Sequence, residues 1–184
     1  MMTATEVTIL DKTFVPYITE QEIADRVADM AAQINKDYEG RKPLLIAILN
    51  GSFIFAADLF RGLHIDAGIS FVKLASYLGT SSTGKVVTAI GMDANITDRH
   101  IIIVEDIIDT GKTLHEFLPE IYGRNPASVS ITTFLSKPSA LQYDVKARYT
   151  AFDIENKFVV GYGLDYNGLG RNLPCLYILK DRSE

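Results

Sequence analysis

The stretch that most constrains the fold is residues 101–114, IIIVEDIIDTGKTL, in which an apolar run is followed by three carboxylates and a turn that contains glycine. Residues 101–104 are all β-branched and show no alternation of apolar and polar side chains, which is typical of a strand buried on both faces of a parallel sheet. We predict that this strand ends near Glu105. From Thr113 onward, apolar residues recur at spacings of three and four, which predicts a helix, although Pro119 argues against a straight one.

The turn between this strand and this helix has the residue types of a phosphate site. Gly111 permits close approach of the backbone to an anion. Thr110 and Thr113 offer hydroxyl groups, and Lys112 adds charge or orders the loop. Because helix N-termini at the carboxyl ends of strands favour anions, we predict a cup for one phosphate at residues 110–113. For such a turn alone, a polar connection with Asp and Thr capping the helix is equally consistent with the sequence.

Two acidic residues before this cup favour the phosphate-site interpretation. Glu105 and Asp106 have the spacing to accept hydrogen bonds from vicinal hydroxyls or to face a hydrated divalent cation. Asp109 stands between this pair and the cup. A triphosphate-binding loop is the other candidate, because Gly111 and the next two residues match the end of its signature. That loop requires Gly where this chain has Asp106, so we do not expect a nucleoside triphosphatase.

Residues 104–114, VEDIIDTGKTL, resemble the phosphoribosyl pyrophosphate (PRPP) motif of the type I phosphoribosyltransferases, in the form carried by their hypoxanthine-guanine members. The resemblance implies an α/β fold with a mostly parallel sheet flanked by helices, in one domain spanning residues 1–184. It also implies a small hood made from the C-terminal part of the chain, with a contribution from the N-terminal part.

The resemblance also assigns roles within the motif. Glu105 and Asp106 would hold the ribose hydroxyls, and Asp109 would act as acid and base at the purine N7. The 5′-phosphate would be bound by the cup, which consists of Thr110, Gly111, Lys112 and Thr113.

A second apolar run, residues 44–49, leads into a turn at Asn50 and a further helical pattern. By resemblance, this loop binds pyrophosphate through Leu49, Asn50 and Gly51, and a cis peptide between Leu49 and Asn50 directs backbone amides toward it. The family often has Lys or Arg where this chain has Asn50, so the same side-chain contribution is not expected here. An ordinary Asn-Gly turn is the alternative.

Residues 65–75 and 86–92 are predicted to be strands, and the small polar segment between them has the composition of an exposed hairpin connection. Its start at Ser76 and Tyr77 resembles the family's flexible loop, which closes over the active site. Closure has a physical use, because water must be excluded if PRPP is to be transferred and not hydrolysed.

The base-binding residues are implied by two later segments. Residues 128–135 are predicted to be a strand that ends just before Lys137, which matches the family lysine that donates a hydrogen bond to the purine 6-oxo group. Residues 157–167, KFVVGYGLDYN, are the second close match to the family. There Phe158 would stack on the purine and Val159 would contact it through the backbone. Without the resemblance, Phe158 would be assigned to the core.

The same segment carries the implied metal ligand. Asp165 would bind a magnesium ion, Mg²⁺, near pyrophosphate, and Arg171 would contact pyrophosphate directly. A simple turn is the alternative role for Asp165.

The reaction implied by the resemblance is magnesium-dependent, reversible transfer of a 5-phosphoribosyl group from PRPP to N9 of hypoxanthine or guanine. The products would be inosine or guanosine monophosphate (IMP or GMP) and pyrophosphate, and the family commonly forms homodimers or homotetramers. Three alternatives stay open: a PRPP-responsive regulator without catalysis, a xanthine phosphoribosyltransferase, and a simple nucleotide-binding module. A regulator would lack part of the catalytic set, and a bare module would not need Asp109.

Composition bounds the class of protein. At 184 residues with 47% hydrophobic content, one α/β domain is expected, and the net charge of −5 argues against a nucleic-acid surface. The single cysteine, Cys175, excludes an internal disulfide and is expected to be a buried structural thiol in a reducing compartment. No apolar run approaches the roughly 18 residues that span a bilayer, so we expect a soluble cytoplasmic protein with no membrane partner.

The ends of the chain carry structural signals only. Thr19 and Glu22 have the form of a capping box before an amphipathic helix, and residues 173–179 are predicted to be a final strand.

Overall fold

The computed structural model of the protein describes residues 5–76, 86–90 and 94–180, and gives the backbone alone for residues 75, 76 and 86–90. Its strands are β1 (Val7–Ile9), β2 (Lys12–Ile18), β3 (Leu44–Leu49), β4 (Gly68–Ser76), β5 (Val86–Ile90), β6 (His100–Ile108), β7 (Ser128–Ser136), β8 (Tyr149–Asp153), β9 (Val159–Val160) and β10 (Leu176–Leu179). Its helices are α1 (Glu20–Asp37), α2 (Phe53–Arg61), α3 (Lys112–Tyr122) and a short 3₁₀ helix at Pro138–Ala140.

The main sheet has the strand order β5-β4-β3-β6-β7-β8. Strands β4, β3, β6, β7 and β8 run parallel, and β5 pairs antiparallel with β4 at one edge. The central strands β3 and β6 are the two continuous apolar runs of the sequence, as expected for strands covered on both faces. The predicted fold class, a mostly parallel sheet flanked by helices, is confirmed.

Alternate residues of β6 pack against helices on opposite faces of the sheet. Ile102 and Val104 belong to the core on the side of α1 and α2. Ile101 and Ile103 belong to the core that contains the buried residues of α3. Because both faces are covered, the edge of the sheet at the carboxyl ends of the strands is left for a site.

Helix α1 begins as the sequence predicts. Thr19 accepts a hydrogen bond from the Glu22 backbone amide (3.2 Å), and the Glu22 carboxylate accepts one from the Thr19 amide (2.8 Å), which completes the capping box. The apolar stripe that follows is buried against the sheet and comprises Ile23, Val27, Met30, Ala31 and Ile34. None of the helices among the described residues combines the length and apolar character needed to cross a membrane.

A small second sheet joins the two ends of the chain. Its strand order is β1-β2-β10-β9, all antiparallel, so the N-terminal hairpin pairs with strands from the C-terminal part. Phe14, Val160 and Tyr177 form its core together with Cys175, which is buried and free, as predicted. The final strand is shorter than predicted and begins at Leu176, not at residue 173.

Two predicted boundaries of the main sheet were wrong. Strand β6 does not end near Glu105 but continues to Ile108, because β7 stays paired with it and Glu105 lies opposite Thr133. Strand β4 begins at Gly68, where its pairing with Leu44 of β3 begins, and not at residue 65. Strand β5 is described from Val86 to Ile90, and the last two residues of its predicted range, 91 and 92, lie outside the described residues.

Candidate active site

The candidate site lies at the edge of the main sheet where three parallel strands end. Strand β3 ends at Leu49, β6 ends at Ile108, and β7 ends at Ser136. Their carboxyl ends meet because the strands are parallel neighbours in the sheet. The residues that follow these strands therefore lie close together.

The predicted phosphate cup lies at the N-terminus of α3. Gly111 is the residue that caps the helix, with a left-handed φ of +82°, and it offers no side-chain hydrogen bond to the helix. The first backbone N–H groups of a helix lack intrahelical acceptors, so this end is suited to an anion. The Lys112 amide donates to Thr110 Oγ1 (3.3 Å), and Lys112 Nζ pairs with Glu116 (3.7 Å).

Residues 141–143, which follow β7, contact the turn that forms the cup. The backbone amides of Gln142 and Tyr143 both donate to the carbonyl of Thr110, at 2.9 and 3.2 Å. A Cβ atom on Gly111 would lie 3.4 Å from the Leu141 side chain and from the Tyr143 carbonyl. These contacts fix the turn. This segment was not predicted to support the site, because its polar, irregular composition offers no signal of that role.

The acidic pair is buried at the end of β6. Glu105 is 6% exposed, and its Oε2 has no hydrogen-bond partner among the described residues. Burial, and then repulsion by Asp106, raise the pKa of Glu105 well above its usual range. Burial also raises the pKa of Asp106 to about 6, although the Ile107 amide donates to its Oδ1 (2.9 Å). Such a pair is poised to take up a polar or cationic ligand.

The loop after β3 lies directly against this pair. The peptide between Leu49 and Asn50 is cis, as the resemblance implied. A Cβ atom on Gly51 would overlap the carboxylate of Asp106, so only glycine permits this approach. The loop and the motif therefore form one surface.

Asp109 and Lys137 form an ion pair between β6 and β7. Lys137 Nζ lies 3.0 Å from Asp109 Oδ2, and the Lys137 amide donates to the Ile108 carbonyl (2.9 Å). Lys137 is only 7% exposed, which is unusual for lysine and means that its charge is held by this carboxylate.

Two contiguous cavities open at this edge. The first, which we call the cup cavity, has a volume of about 280 Å³ and is lined by residues 105–114. The second, the lysine cavity, has a volume of about 250 Å³ and is lined by Asp106, Ile107, Asp109, Lys137, Phe158, Val159, Leu164 and Asp165. The two cavities share Asp106, Ile107 and Asp109. Phe158 is 43% exposed at its cavity, which excludes the alternative that places it in the core.

A third cavity of about 360 Å³ lies at the opposite edge of the sheet, where Tyr38 and Tyr122 line it beside Ser128. Tyr38 and Tyr122 stand at the C-termini of α1 and α3, and helix C-termini repel anions. Although this cavity is larger and is also lined by Arg41, Lys146 and Arg148, it contains none of the predicted site residues.

Arg171 and Asp165 lie beside the loop after β3. Arg171 Nη2 contacts Asp165 Oδ1 at 2.7 Å, and its Nη1 donates to the Gly163 carbonyl at 2.6 Å. A Cβ atom on Gly163 would overlap the Gly51 carbonyl oxygen, so the segment and the loop touch through their backbones. Gly163 was not among the predicted site residues. Its one signal in the sequence is that Gly161 occurs two residues before it in the matched segment.

The carboxylates fit a magnesium ion shared with a phosphorylated ligand. The described residues hold no group of three or more metal-binding side chains that would cage an ion without a ligand. Mg²⁺ is usually bound by one or two carboxylates together with substrate phosphates and water. Asp165 would provide one carboxylate, whose Oδ1 here contacts Arg171 and whose Oδ2 accepts from the Gly168 amide at 2.6 Å. It lies close enough to Asp106 to raise that residue's pKa.

The structure thus brings together the predicted residues of the motif, the loop after β3, Lys137 and the C-terminal segment. Val159 opens β9 at the wall of the lysine cavity, next to Phe158. Ser76 is the last residue of β4, where the structure gives the backbone alone. Tyr77 lies outside the described residues. Ile107 and Leu164 line the lysine cavity and were missed, because apolar lining residues look like core in a sequence.

Comparison with known proteins shows which proteins this chain resembles. The family model described as "Phosphoribosyl transferase domain" matches residues 17–167. The chain is 41% identical over 165 residues to a hypoxanthine-guanine phosphoribosyltransferase of Streptococcus pneumoniae, covering 89% of this chain and 92% of that one. It is 35% identical over 178 residues to a hypoxanthine-guanine-xanthine phosphoribosyltransferase of Tritrichomonas foetus, covering 96% of this chain and 97% of that one.

Solved structures show the same relationship. A hypoxanthine-guanine phosphoribosyltransferase from Bacillus anthracis superposes with a TM-score of 0.84 at 38% identity, covering 90% of this chain and 96% of that chain. A hypoxanthine phosphoribosyltransferase from Staphylococcus aureus gives a TM-score of 0.85 at 37% identity, covering 90% of each chain. With these matches in sequence and fold, the chain belongs to the phosphoribosyltransferase family.

Proposed function

We propose that the protein is a purine salvage enzyme that transfers a 5-phosphoribosyl group reversibly from PRPP to N9 of hypoxanthine or guanine. The products are IMP or GMP and pyrophosphate. The observation that carries the proposal is the pair of contiguous cavities, one with a phosphate cup and one with a buried lysine and an exposed aromatic ring, joined through Asp106, Ile107 and Asp109.

The cup cavity suits the ribose 5-phosphate part of PRPP. The backbone amides of the first turn of α3 and the hydroxyls of Thr110 and Thr113 bind the 5′-phosphate. Asp106 has a pKa of about 6, so it is mostly ionised at neutral pH and accepts a hydrogen bond from a ribose hydroxyl. Glu105 binds the neighbouring hydroxyl, which would give its unpaired Oε2 a partner.

Pyrophosphate binds between the loop after β3 and the C-terminal segment. The backbone of Leu49, Asn50 and Gly51 provides amide donors, and Arg171 provides a guanidinium group. Asp165 would hold Mg²⁺ together with substrate oxygens, and the bound ion would supply positive charge beside the pyrophosphate group. Arg171 already lies 2.7 Å from Asp165, so its cation is positioned beside the metal ligand before substrate arrives.

The lysine cavity suits a 6-oxopurine. Phe158 stacks on the base, the Val159 backbone contacts its edge, and Lys137 donates a hydrogen bond to the 6-oxo group. Adenine carries an amino group at that position and cannot accept this bond, so it is rejected.

Asp109 is the general acid and base for the proton at N7 of the purine. As N9 forms its bond to the ribose carbon and the bond to pyrophosphate breaks, Asp109 accepts the N7 proton, and it returns that proton in the reverse reaction. No covalent enzyme intermediate is needed, because positioning and charge stabilisation lower the barrier.

Use of xanthine is a second candidate function. The Tritrichomonas foetus relative is named for hypoxanthine, guanine and xanthine, and it matches 96% of this chain. Xanthine also has a 6-oxo group, so the Lys137 contact alone does not reject it.

Initial rates of nucleotide formation with PRPP, magnesium and each of hypoxanthine, guanine, xanthine and adenine test the proposal. Turnover with the first two and none with adenine is expected. Turnover with xanthine at a similar rate would establish the second candidate. No turnover with any base, despite measurable binding of PRPP, would favour a non-catalytic regulator.

We propose two further properties on the same basis. The small sheet is the hood over the base, since Val159 opens its strand β9. The protein acts in the cytoplasm as a homodimer or homotetramer, and light scattering on the purified protein would give its mass.

A further inference from the structure

The turn of the N-terminal hairpin lies against the aromatic ring at the mouth of the lysine cavity. Lys12, the first residue of β2, places Nζ 5.5 Å from the ring centroid of Phe158 and 4.5 Å from that of Tyr166. Both distances are within the range in which an ammonium group is attracted to an aromatic face. One half-buried cation therefore bridges two rings that come from the other end of the chain.

Tyr166 is itself fixed by the hairpin. Its hydroxyl donates to Asp11 Oδ1 at 2.7 Å, and this hydrogen bond raises the pKa of Tyr166 and lowers that of Asp11. The ring of Tyr166 meets that of Phe158 edge to face, with centroids 5.8 Å apart and planes at 84°. This is a favoured geometry for an aromatic pair.

Phe14 completes the support of this ring. It is fully buried in the small sheet, and its centroid lies 6.2 Å from that of Phe158. Phe158 nevertheless leaves 43% of its surface exposed at the cavity. A ring with so much exposed surface would lose rotamer freedom when a base stacks on it, unless other contacts had already restricted it.

We propose that Lys12 is a positioning residue for the purine base, which acts through Phe158 by holding its ring in the stacking orientation. The inference rests on the proposed function, because it takes Phe158 as the ring that stacks on the purine. Lys12 lines neither the cup cavity nor the lysine cavity, so its removal should weaken purine binding and leave the chemical step intact.

The test compares Lys12→Met with the wild-type enzyme. Methionine keeps a long apolar side chain and removes the charge. A cation–π contact at a partly exposed site corresponds to about a two- to five-fold change in affinity, so KM for hypoxanthine should rise by about that factor, with kcat and KM for PRPP unchanged. Lys12→Arg keeps a cation over the rings and should restore the wild-type KM.

A matched control lies in the same sheet. Lys180 Nζ pairs with Glu6 at 2.8 Å, so Lys180→Met removes an equal charge from the small sheet without touching an aromatic ring. This variant should leave KM for hypoxanthine unchanged. An equal rise in both variants would mean that general loosening of the sheet is responsible, and would overturn the proposal.

A double-mutant cycle isolates the route through Phe158. In a Phe158→Leu background, Lys12→Met should have no further effect on KM for hypoxanthine, because the ring that it positions is gone. The role of Lys12 would be overturned if Lys12→Met raised KM for hypoxanthine several-fold in the Phe158→Leu background too. It would also be overturned if Lys12→Met did not raise this KM in the wild-type background. Neither result would contradict the proposed phosphoribosyl transfer. If Phe158→Leu alone leaves KM for hypoxanthine unchanged, Phe158 does not stack on the purine. That result would contradict the proposed role of Phe158, and it is distinguishable from the two results that contradict the role of Lys12.

Discussion

Lys137 Nζ lies 3.0 Å from Asp109 Oδ2, so the side chain proposed to bind the purine 6-oxo group is paired with the one proposed to bind the N7 proton. The 6-oxo group and N7 lie side by side on one edge of a 6-oxopurine. A donor and an acceptor at hydrogen-bonding distance therefore match two neighbouring atoms of the base. The ion pair also gives the buried ammonium group of Lys137 a partner of opposite charge.

Replacing Asp109 with Asn should slow the chemistry more than it weakens binding. A positioned acid or base contributes about 100-fold or more to rate, so kcat should fall by at least that factor in Asp109→Asn, while the dissociation constant for PRPP stays unchanged. Steady-state kinetics and calorimetry measure the two quantities. Asp153→Asn, at the end of β8, is a control that should change neither. Equal losses of PRPP binding and turnover would count against the acid-base role.

Lys137→Met should remove base discrimination. A hydrogen bond from a charged donor is worth about 1.5–3 kcal/mol, which corresponds to a fall of about 10- to 150-fold in kcat/KM for hypoxanthine and guanine. The binding of adenine, measured as inhibition of the hypoxanthine reaction, should not weaken, because adenine makes no such bond. Initial rates with hypoxanthine measure the effect, and an unchanged kcat/KM for hypoxanthine would exclude Lys137 as the residue that binds the 6-oxo group.

Because the pKa of Asp106 is raised in the folded protein, we predict that the free energy of unfolding falls as pH rises and Asp106 ionises. The unfolded state loses the Asp106 proton near the ordinary value of 3.8, whereas the folded state keeps it until about pH 6. Between these two values the folded state binds more protons, so the free energy of unfolding falls as pH rises and levels off above about pH 6.

Asp106→Asn should remove this cost. Near neutral pH the variant should be more stable than the wild type by about 1–3 kcal/mol, and the difference should shrink as pH falls toward about 4. Urea unfolding at several pH values measures it. A difference that does not change with pH would contradict burial of a charged Asp106. The variant should also lose affinity for PRPP, and wild-type kcat/KM for PRPP should decline below about pH 6 as Asp106 is protonated.

Two glycines in the C-terminal segment should respond differently to the same substitution. Gly163 has φ +101° and lies against the Gly51 carbonyl, whereas Gly168 has φ +83° and a Cβ atom added there would meet no other atom within 4 Å. Gly168→Ala should cost about 1–2 kcal/mol for its left-handed backbone alone. Gly163→Ala should cost more, and should raise KM for PRPP because it displaces the pyrophosphate loop. Similar losses in thermal unfolding and in KM for both variants would argue against contact between segment and loop.

The parts of the fold encoded in local patterns could be predicted from the sequence. The apolar runs of β3 and β6, the capping box at Thr19 and the turn at Gly111 all signal structure within a few residues. The end of β6 could not be predicted in this way, because its pairing with β7 extends to Ile108 opposite Ser136, and no local pattern encodes that register.

Contacts between distant segments escaped prediction for the same reason. Lys12 meets Phe158 and Tyr166 only after the two ends of the chain form one sheet. The approach of Gly163 to Gly51 likewise depends on tertiary packing. The motif residues themselves could be identified because a phosphate cup and its carboxylates occur in one short stretch.

The most direct test of phosphoribosyl transfer is the stoichiometry of products from PRPP, hypoxanthine and magnesium. We expect IMP and pyrophosphate to form in equal amounts as hypoxanthine is consumed. Release of pyrophosphate without IMP would show hydrolysis of PRPP, and binding of PRPP without either product would contradict catalysis by this site.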